Sequence, residues 1–368
     1  MAILLCTCVQ NVASAQLFGF NPFRKTVKIA LVLPFQSASQ EPSRDCMDFY
    51  SGALMAIDAK KAEGVSVKLK VVDFSASTFS AEAFASQIEG FDAVVGPFAL
   101  ADIRKVLPAC KEAGVAMISP LDQKAAALTA EYPLFFQVAT PHSIQVENLV
   151  QSMDFNSGDK VTVFYKTLDE AFTKQVVKAL DKASVPYRKI SYNVQRGRII
   201  TDSLKRAIRP GVQQHVFIAS EDQAFASDVA RNLNLVRRGG VDLSVYGSNR
   251  LRNFETIDAD VLYNLGLRIA TGYFIDYHDT ETQNFVLKYR ALFKTEPTQY
   301  AFSGYDVFYF FISALNDLGA SFKEFVPYYT LNLLQSNILL RKDTEDSGYV
   351  NIRTRDVEYG NDFSISVK

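Results

Sequence analysis

The chain has 368 residues, 48% of them hydrophobic and 21% charged, which is the composition of a folded protein and not of a disordered one. Thirty-nine Lys and Arg balance forty Asp and Glu, so the chain lacks the strong basic excess of a protein that coats nucleic acid. The length accommodates two or three domains, each with its own core, and 28 Phe and 17 Tyr supply aromatic packing without any Trp.

Residues 2–15 carry no charge, Ile3-Leu4-Leu5 opens an apolar run, and Ala13-Ser14-Ala15 is a small-x-small cleavage pattern. This predicts a secretory signal peptide over 1–15 cut before Gln16, and a periplasmic or otherwise extracytoplasmic protein. No Lys or Arg precedes the run, so a start codon further upstream is an alternative. The stretch is too short to span a membrane, and no later run is longer, so the mature chain is expected not to span one. Lipid anchoring at Cys8 is a minor alternative, because Thr7 replaces the small residue wanted before it. Cys46 and Cys110 remain after cleavage. They fall near the start of one helix and the end of another, at opposite ends of a sheet, so no bridge is expected.

From Val27 the pattern becomes regular. Val27 to Phe35 is a nearly continuous apolar strand, as in a parallel sheet covered on both faces. A helix follows from Met47 to Glu63, then a strand from Val65 to Phe74, a helix from Ala81 to Glu89 and a strand from Asp92 to Gly96. Leu100 to Ala113 is helical, and Val115 to Ser119 and Leu134 to Ala139 are strands. The rhythm restarts with a helix over His142–Met153, a strand over Lys160–Tyr165, a helix over Glu170–Ala183 and a strand over Tyr187–Val194. A helix over Thr201–Ile208, a strand over His215–Ser220, a helix over Gln223–Leu235 and a strand over Leu243–Gly247 complete the second series. Leu267–Phe274 is extended, helices follow near Thr282–Lys294 and Ser303–Leu318, and Gly348–Val367 alternates like antiparallel strands. Two α/β layers without a flexible tether imply two lobes fixed to a hinge.

Several chemistries are absent from the sequence. There is no G-x-G-x-x-G after the first strand, no P-loop and no G-x-S-x-G elbow. The three His, at 142, 215 and 278, have no zinc-helix spacing, so no metal and no cofactor is expected. The chain reads as a binder and not as an enzyme, with a hydrolase carrying a dispersed triad as the lesser alternative.

Four segments carry a family likeness. They are the opening strand with Phe49 to Asp58 after it, Asp92-Ala93-Val94-Val95-Gly96-Pro97, Val115 to Leu121, and Gly304-Tyr305-Asp306-Val307. In this order the chain resembles type I periplasmic binding proteins, the class of the branched-chain amino acid receptors, over about 27–368. The resemblance implies two doubly wound parallel-sheet lobes joined by a three-crossover hinge. Lobe one would hold 27–139 and 272–323, and lobe two 140–271 and 324–368. It also implies a solute-binding protein that holds a small ligand in the cleft and serves an ABC permease. Amino-acid receptors of the family place hydroxyls after the third and fourth strands to hold a carboxylate. Here Pro97-Phe98-Ala99 offers none, and Asp122 follows Ser119-Pro120-Leu121. That departure brings the chain closer to the family's divergent cell-envelope branch, whose partner would be a peptidoglycan-associated protein.

Open parallel sheets bind at the carboxyl ends of their strands. The candidate ligand residues are therefore Phe98, Ser119, Asp122, Thr140, Tyr165, Glu221, Asp222, Asn249 and Tyr277, with Gln36, Ser37, Thr167, Arg250 and His278 beside them. Each has a plain structural alternative. Ser119 can cap a turn, Phe98 can pack in the core, and Glu221 and Asp222 can compensate a helix start. Arg188, Lys189, Arg196, Arg198, Lys205, Arg206 and Arg209 against the single acid Asp202 form a local excess of six positive charges. It reads as a solvated face or as a contact for an anionic partner.

Overall fold

A computed structural model describes residues 26–75, 77–191, 194, 204, 207, 208 and 211–368. The leader, and Arg196, Arg198, Lys205, Arg206, Arg209 and Asp202 of the basic stretch, lie outside the described residues.

The first sheet begins with β1 (Val27–Leu33), β2 (Val67–Asp73), β3 (Ala93–Val95), β4 (Ala116–Ser119) and β5 (Phe135–Gln137), all parallel. The helices between them are α1 (Arg44–Ala62), α2 (Ala81–Ile88) and α3 (Leu100–Ala113). Alternate residues of β1 serve opposite faces. Ile29, Leu31 and Leu33 join Phe49 and Ala53 of α1, while Ala30 and Val32 join Phe84 of α2 and Ile103 and Val106 of α3. A strand buried on both sides has no polar face, which is why its sequence shows no alternation.

The second sheet repeats the plan with β6 (Lys160–Tyr165), β7 (Tyr187–Ser191), β8 (Gln214–Ile218), β9 (Leu243–Gly247) and β10 (Leu267–Thr271). One face packs on α4 (His142–Gln151) and α5 (Ala171–Lys182), the other on α6 (Gln223–Arg238) and α7 (Ala259–Leu265). The chain then returns to the first lobe as α8 (Thr280–Phe293) and α9 (Gln299–Leu318). Phe308, Phe310 and Phe311 of α9 fill the core beside β1 and β5. Side chains cap these helices: Ser43 for α1, Ser80 for α2, Asp222 for α6 and Asp279 for α8.

The C-terminal strands divide between the sheets. β11 (Leu340–Lys342) and β12 (Tyr349–Asn351) join the first, in the order β11-β12-β5-β4-β3-β1-β2. β13 (Arg355–Tyr359) and β14 (Ile365–Val367) join the second, in the order β14-β13-β10-β9-β8-β6-β7. This corrects the sequence assignment of 324–368 to lobe two, since residues 340–351 belong to the first sheet and the last crossing lies between Asn351 and Arg355. β12 also runs parallel to β5, against the antiparallel expectation. Tyr349 is the anchor, its ring stacked on Phe136 at 4.5 Å. The resulting architecture is two mixed, mainly parallel seven-stranded sheets with helices on both faces, crossed three times by the chain. Sequence reading also missed α7, the 3-10 turn Gln123–Ala130 and β11. Cys46 and Cys110 are buried free thiols. Among the described residues no helix is long and apolar enough to cross a membrane, and no His/Cys/Asp/Glu cluster could hold a metal ion.

Candidate functional site

A cavity of about 890 Å³ lies between the lobes. Lobe one supplies the ends of its strands: Phe98 after β3, Pro120 to Asp122 after β4, and Val138 after β5. Lobe two supplies His142 and Ser143 at the start of α4 and Ala171 and Gln175 from the first turns of α5. The crossing segments add Thr140, Gly272 and Tyr273, the loop before β11 adds Gln335 and Ser336, and α9 adds Tyr300, Ser303 and Val307. Strand ends, helix starts and hinge thus meet at one place, as the carboxyl-end rule requires.

The walls are largely apolar. Phe98 and Tyr300 stack with ring centroids 6.1 Å apart and planes 21° apart, and Phe98 also meets Phe49 edge-on at 5.1 Å. Burial, and then the nearby Asp45 carboxylate, raises the Tyr300 phenol above its ordinary pKa. Phe98 thus packs on the core and also lines the cavity.

Asp122 has both oxygens engaged. Oδ2 accepts from the Leu100 amide, the first of α3, at 2.7 Å, and Oδ1 accepts from the Lys124 amide at 2.8 Å. Ala99, at the N-cap of α3, offers no side-chain acceptor, so Asp122, 22 positions after Leu100, does that work. Thr140 is buried; its hydroxyl donates to the Arg353 carbonyl at 2.6 Å and accepts from Asn351 at 3.1 Å. Gln335 is 2% exposed. Its Nε2 donates to the Gln299 carbonyl at 3.2 Å and to the Ser303 hydroxyl at 2.6 Å, while Oε1 has no partner among the described residues.

The other candidates do not line the cavity. Ser119 is buried at the end of β4, with its hydroxyl unpartnered among the described residues. Tyr165 packs against the α4–α5 face of the second sheet. Asp222 caps α6 through the Phe225 amide at 2.9 Å and pairs with Lys166 at 2.7 Å; that partner holds its carboxyl below the usual range. Glu221 accepts from the Ser248 hydroxyl at 2.6 Å and faces Arg250 at 3.6 Å. Asn249 opens a short 3-10 turn beside a cavity of about 10 Å³. Tyr277 is 57% exposed, with its ring edge on Phe302. Of the neighbouring candidates, Gln36 and Ser37 are bound to Asp73, and His278 is exposed. Tyr273, Tyr300 and Gln335 were missed: Tyr273 follows β10 inside a stretch read as extended to Phe274, and Tyr300 and Gln335 come from a late helix and the loop before β11, which no strand-end rule covers.

A second cavity, of about 440 Å³, lies at the opposite end of the second sheet. On its wall Arg268 pairs with Glu358 at 2.7 Å, and buried His215 sits between Asp159 at 3.2 Å and Tyr246 at 3.0 Å.

No family model matches the sequence, and no curated protein is similar enough to register. Solved structures do match. One described as a branched-chain amino acid ABC transporter from Rhodospirillum rubrum superposes with a TM-score of 0.67 at 18% identity, covering 94% of this chain and 100% of that one. A branched-chain amino acid ABC transporter periplasmic ligand-binding protein from Burkholderia xenovorans gives 0.56 at 14%, covering 93% and 94%. An ABC transporter substrate-binding protein from Desulfitobacterium hafniense in complex with Leu gives 0.53 at 17%, covering 94% and 100%. The chain therefore has the two-lobed fold of type I periplasmic binding proteins, as its four sequence segments suggested.

Proposed function

We propose that this protein is a non-enzymatic, extracytoplasmic solute-binding protein that captures a small molecule between its lobes and delivers it to an ABC-type permease. The observation that carries this reading is the open cavity of about 890 Å³, to which both lobes and the crossing segments contribute. That volume suits a small organic ligand. A cleft closed by its own Phe and Leu side chains would have favoured an interaction protein of the cell envelope. The open, mostly apolar walls favour capture instead. Phe98, Asp122, Thr140 and Tyr300 line that cavity, which supports assigning ligand contacts to them.

Each lobe offers only part of the contact, so a bridging ligand binds the closed form better and shifts the population toward it. The test is small-angle scattering on protein stripped of ligand and on protein resaturated with the molecule that native mass spectrometry finds retained after purification. Compaction on saturation is the expected result. An unchanged profile at saturation would count against a capture role.

A further inference from the structure

We propose, building on the solute-binding reading, that the cleft selects a ligand carrying a flat aromatic ring: Phe98, Tyr273 and Tyr300 form a wall of rings against which it lies, and ring contact rather than charge decides what is held. The three come from distant parts of the chain. Phe98 follows β3, Tyr273 lies in the crossing after β10, and Tyr300 stands in the first turn of α9. All three line the cavity and all three are only partly buried. Each ring thus keeps apolar surface in water at the junction of the lobes, and a ligand that covers it gains the free energy of that burial.

The rings are also held in place before any ligand arrives. Phe98 meets Phe49 of the core edge-on at 5.1 Å, and Tyr300 stacks on Phe98 with centroids 6.1 Å apart. The Arg252 guanidinium lies over the Tyr273 ring at 5.9 Å and over Phe274 at 5.1 Å, which fixes that end of the wall from lobe two. Burial does most to raise the Tyr300 phenol, and the Asp45 carboxylate and Tyr273 add to it, which puts both near Tyr300. Aromatic side chains have few rotatable bonds, so little order is lost when they are covered. A ring set against them gains from offset or edge-on contact beyond what its area alone supplies.

Charge gives no comparable direction. Asp122 occupies the start of α3, and Asp45 adds a second acid to the wall. Lys124 acts in the opposite sense, and so does the start of α4, which has no side-chain cap and no acid in its first turn. Asp45 and Lys124 are exposed, where water and salt weaken them. These influences oppose one another, and the contact left to discriminate is the one with the rings.

The experiment measures binding of matched pairs at millimolar concentration by calorimetry and thermal shift. The pairs are benzamide with cyclohexanecarboxamide, benzylamine with cyclohexylmethylamine, and benzoate with cyclohexanecarboxylate, so each charge is represented. Saturating the ring adds apolar area, so burial alone favours the cyclohexyl member, and only contact with rings favours the flat one. In every pair that gives a response, the aromatic member should bind about fivefold tighter or more. Tyr300→Leu and Tyr273→Leu should each reduce that preference to about twofold or less. Tyr300→Phe, which keeps the ring and loses only the phenol, should retain it. A cyclohexyl member that binds the unaltered protein as tightly as its aromatic partner would overturn the inference. So would a preference left intact in both Leu variants, or no response of the unaltered protein to any probe. The pairs measured on the unaltered protein decide the matter even where a Leu variant does not fold. Each of these failures leaves solute capture standing, because capture is judged separately, by scattering with the retained molecule.

Discussion

Asp222 shows how a strand-end acid can be spent inside its own lobe. One oxygen caps α6 at the Phe225 amide, and the other pairs with Lys166 at 2.7 Å. Lys166 holds the carboxyl below its ordinary pKa, so the folded state binds the proton less readily than the unfolded chain does. The contribution to stability is thus present above the unfolded value of about 3.9 and is lost as pH falls through the folded value. Asp222→Ala should cost about 1 kcal/mol near neutral pH, mostly through the cap, because the ion pair is largely exposed. The cost should shrink between neutral pH and a pH below the lowered folded value, where the carboxylate is protonated. Urea titrations of both proteins at the two pH values check this, and a pH-independent difference would sink it. The sequence left two readings of this residue open, and only the position of its amide and Lys166 partners distinguishes them. Phe98, Asp122 and Thr140 were legible as cavity residues because the carboxyl-end rule depends on strand order alone. Gln335 was not, since its place depends on a bond between two segments far apart in the chain.

At the scale of elements, two glycines fix how α1 meets α9. A Cβ on Gly52 would lie 1.9 Å from the Ala301 carbonyl oxygen, and one on Gly304 would lie 2.0 Å from that of Phe49. The helices touch backbone to backbone, and the obstruction is main chain that cannot rotate away. Gly304→Ala must separate the helices and loosen the core around Phe49 and Phe308, at a cost of about 2–4 kcal/mol. Thermal and urea unfolding would show it, and a change below about 0.5 kcal/mol would mean that the contact relaxes without strain. The segment Gly304-Tyr305-Asp306-Val307 entered the sequence analysis as a family likeness; here its glycine has a steric reason. The long strands and helices were legible from their periodicity and caps. The three-residue strand β11 was not, because three residues hold no measurable period, and the parallel pairing of β12 was not, because its partner β5 lies about two hundred positions earlier.

The two lobes work as one molecule only if the crossings hold. Asp306, on α9, receives the Leu334, Gln335 and Ser336 amides at 2.8, 3.0 and 3.0 Å and the Ser336 hydroxyl at 2.7 Å. It fastens the strip that carries Gln335 to the first lobe. Asn351 does the corresponding work between crossings. Its amide nitrogen donates to the Val138 and Asn337 carbonyls at 3.0 and 2.9 Å, and its oxygen accepts from Leu339 and Arg353 at 2.9 and 3.1 Å. The side chain is 1% exposed, so water cannot replace it. Asn351→Leu has similar bulk but leaves two carbonyls and two amides buried without partners, a loss of about 2–5 kcal/mol. The loss should be local as well as global. Amide exchange should quicken at residues 138–140 and 352–354 while the centres of β1 and β8 stay protected to the new global limit. Asn351→Asp, which keeps the acceptor and loses the donors, should fall between. A Leu variant as stable as the parent, with unchanged exchange at the crossings, would mean that the lobes are held together by their packing alone and that the hinge moves about some other point.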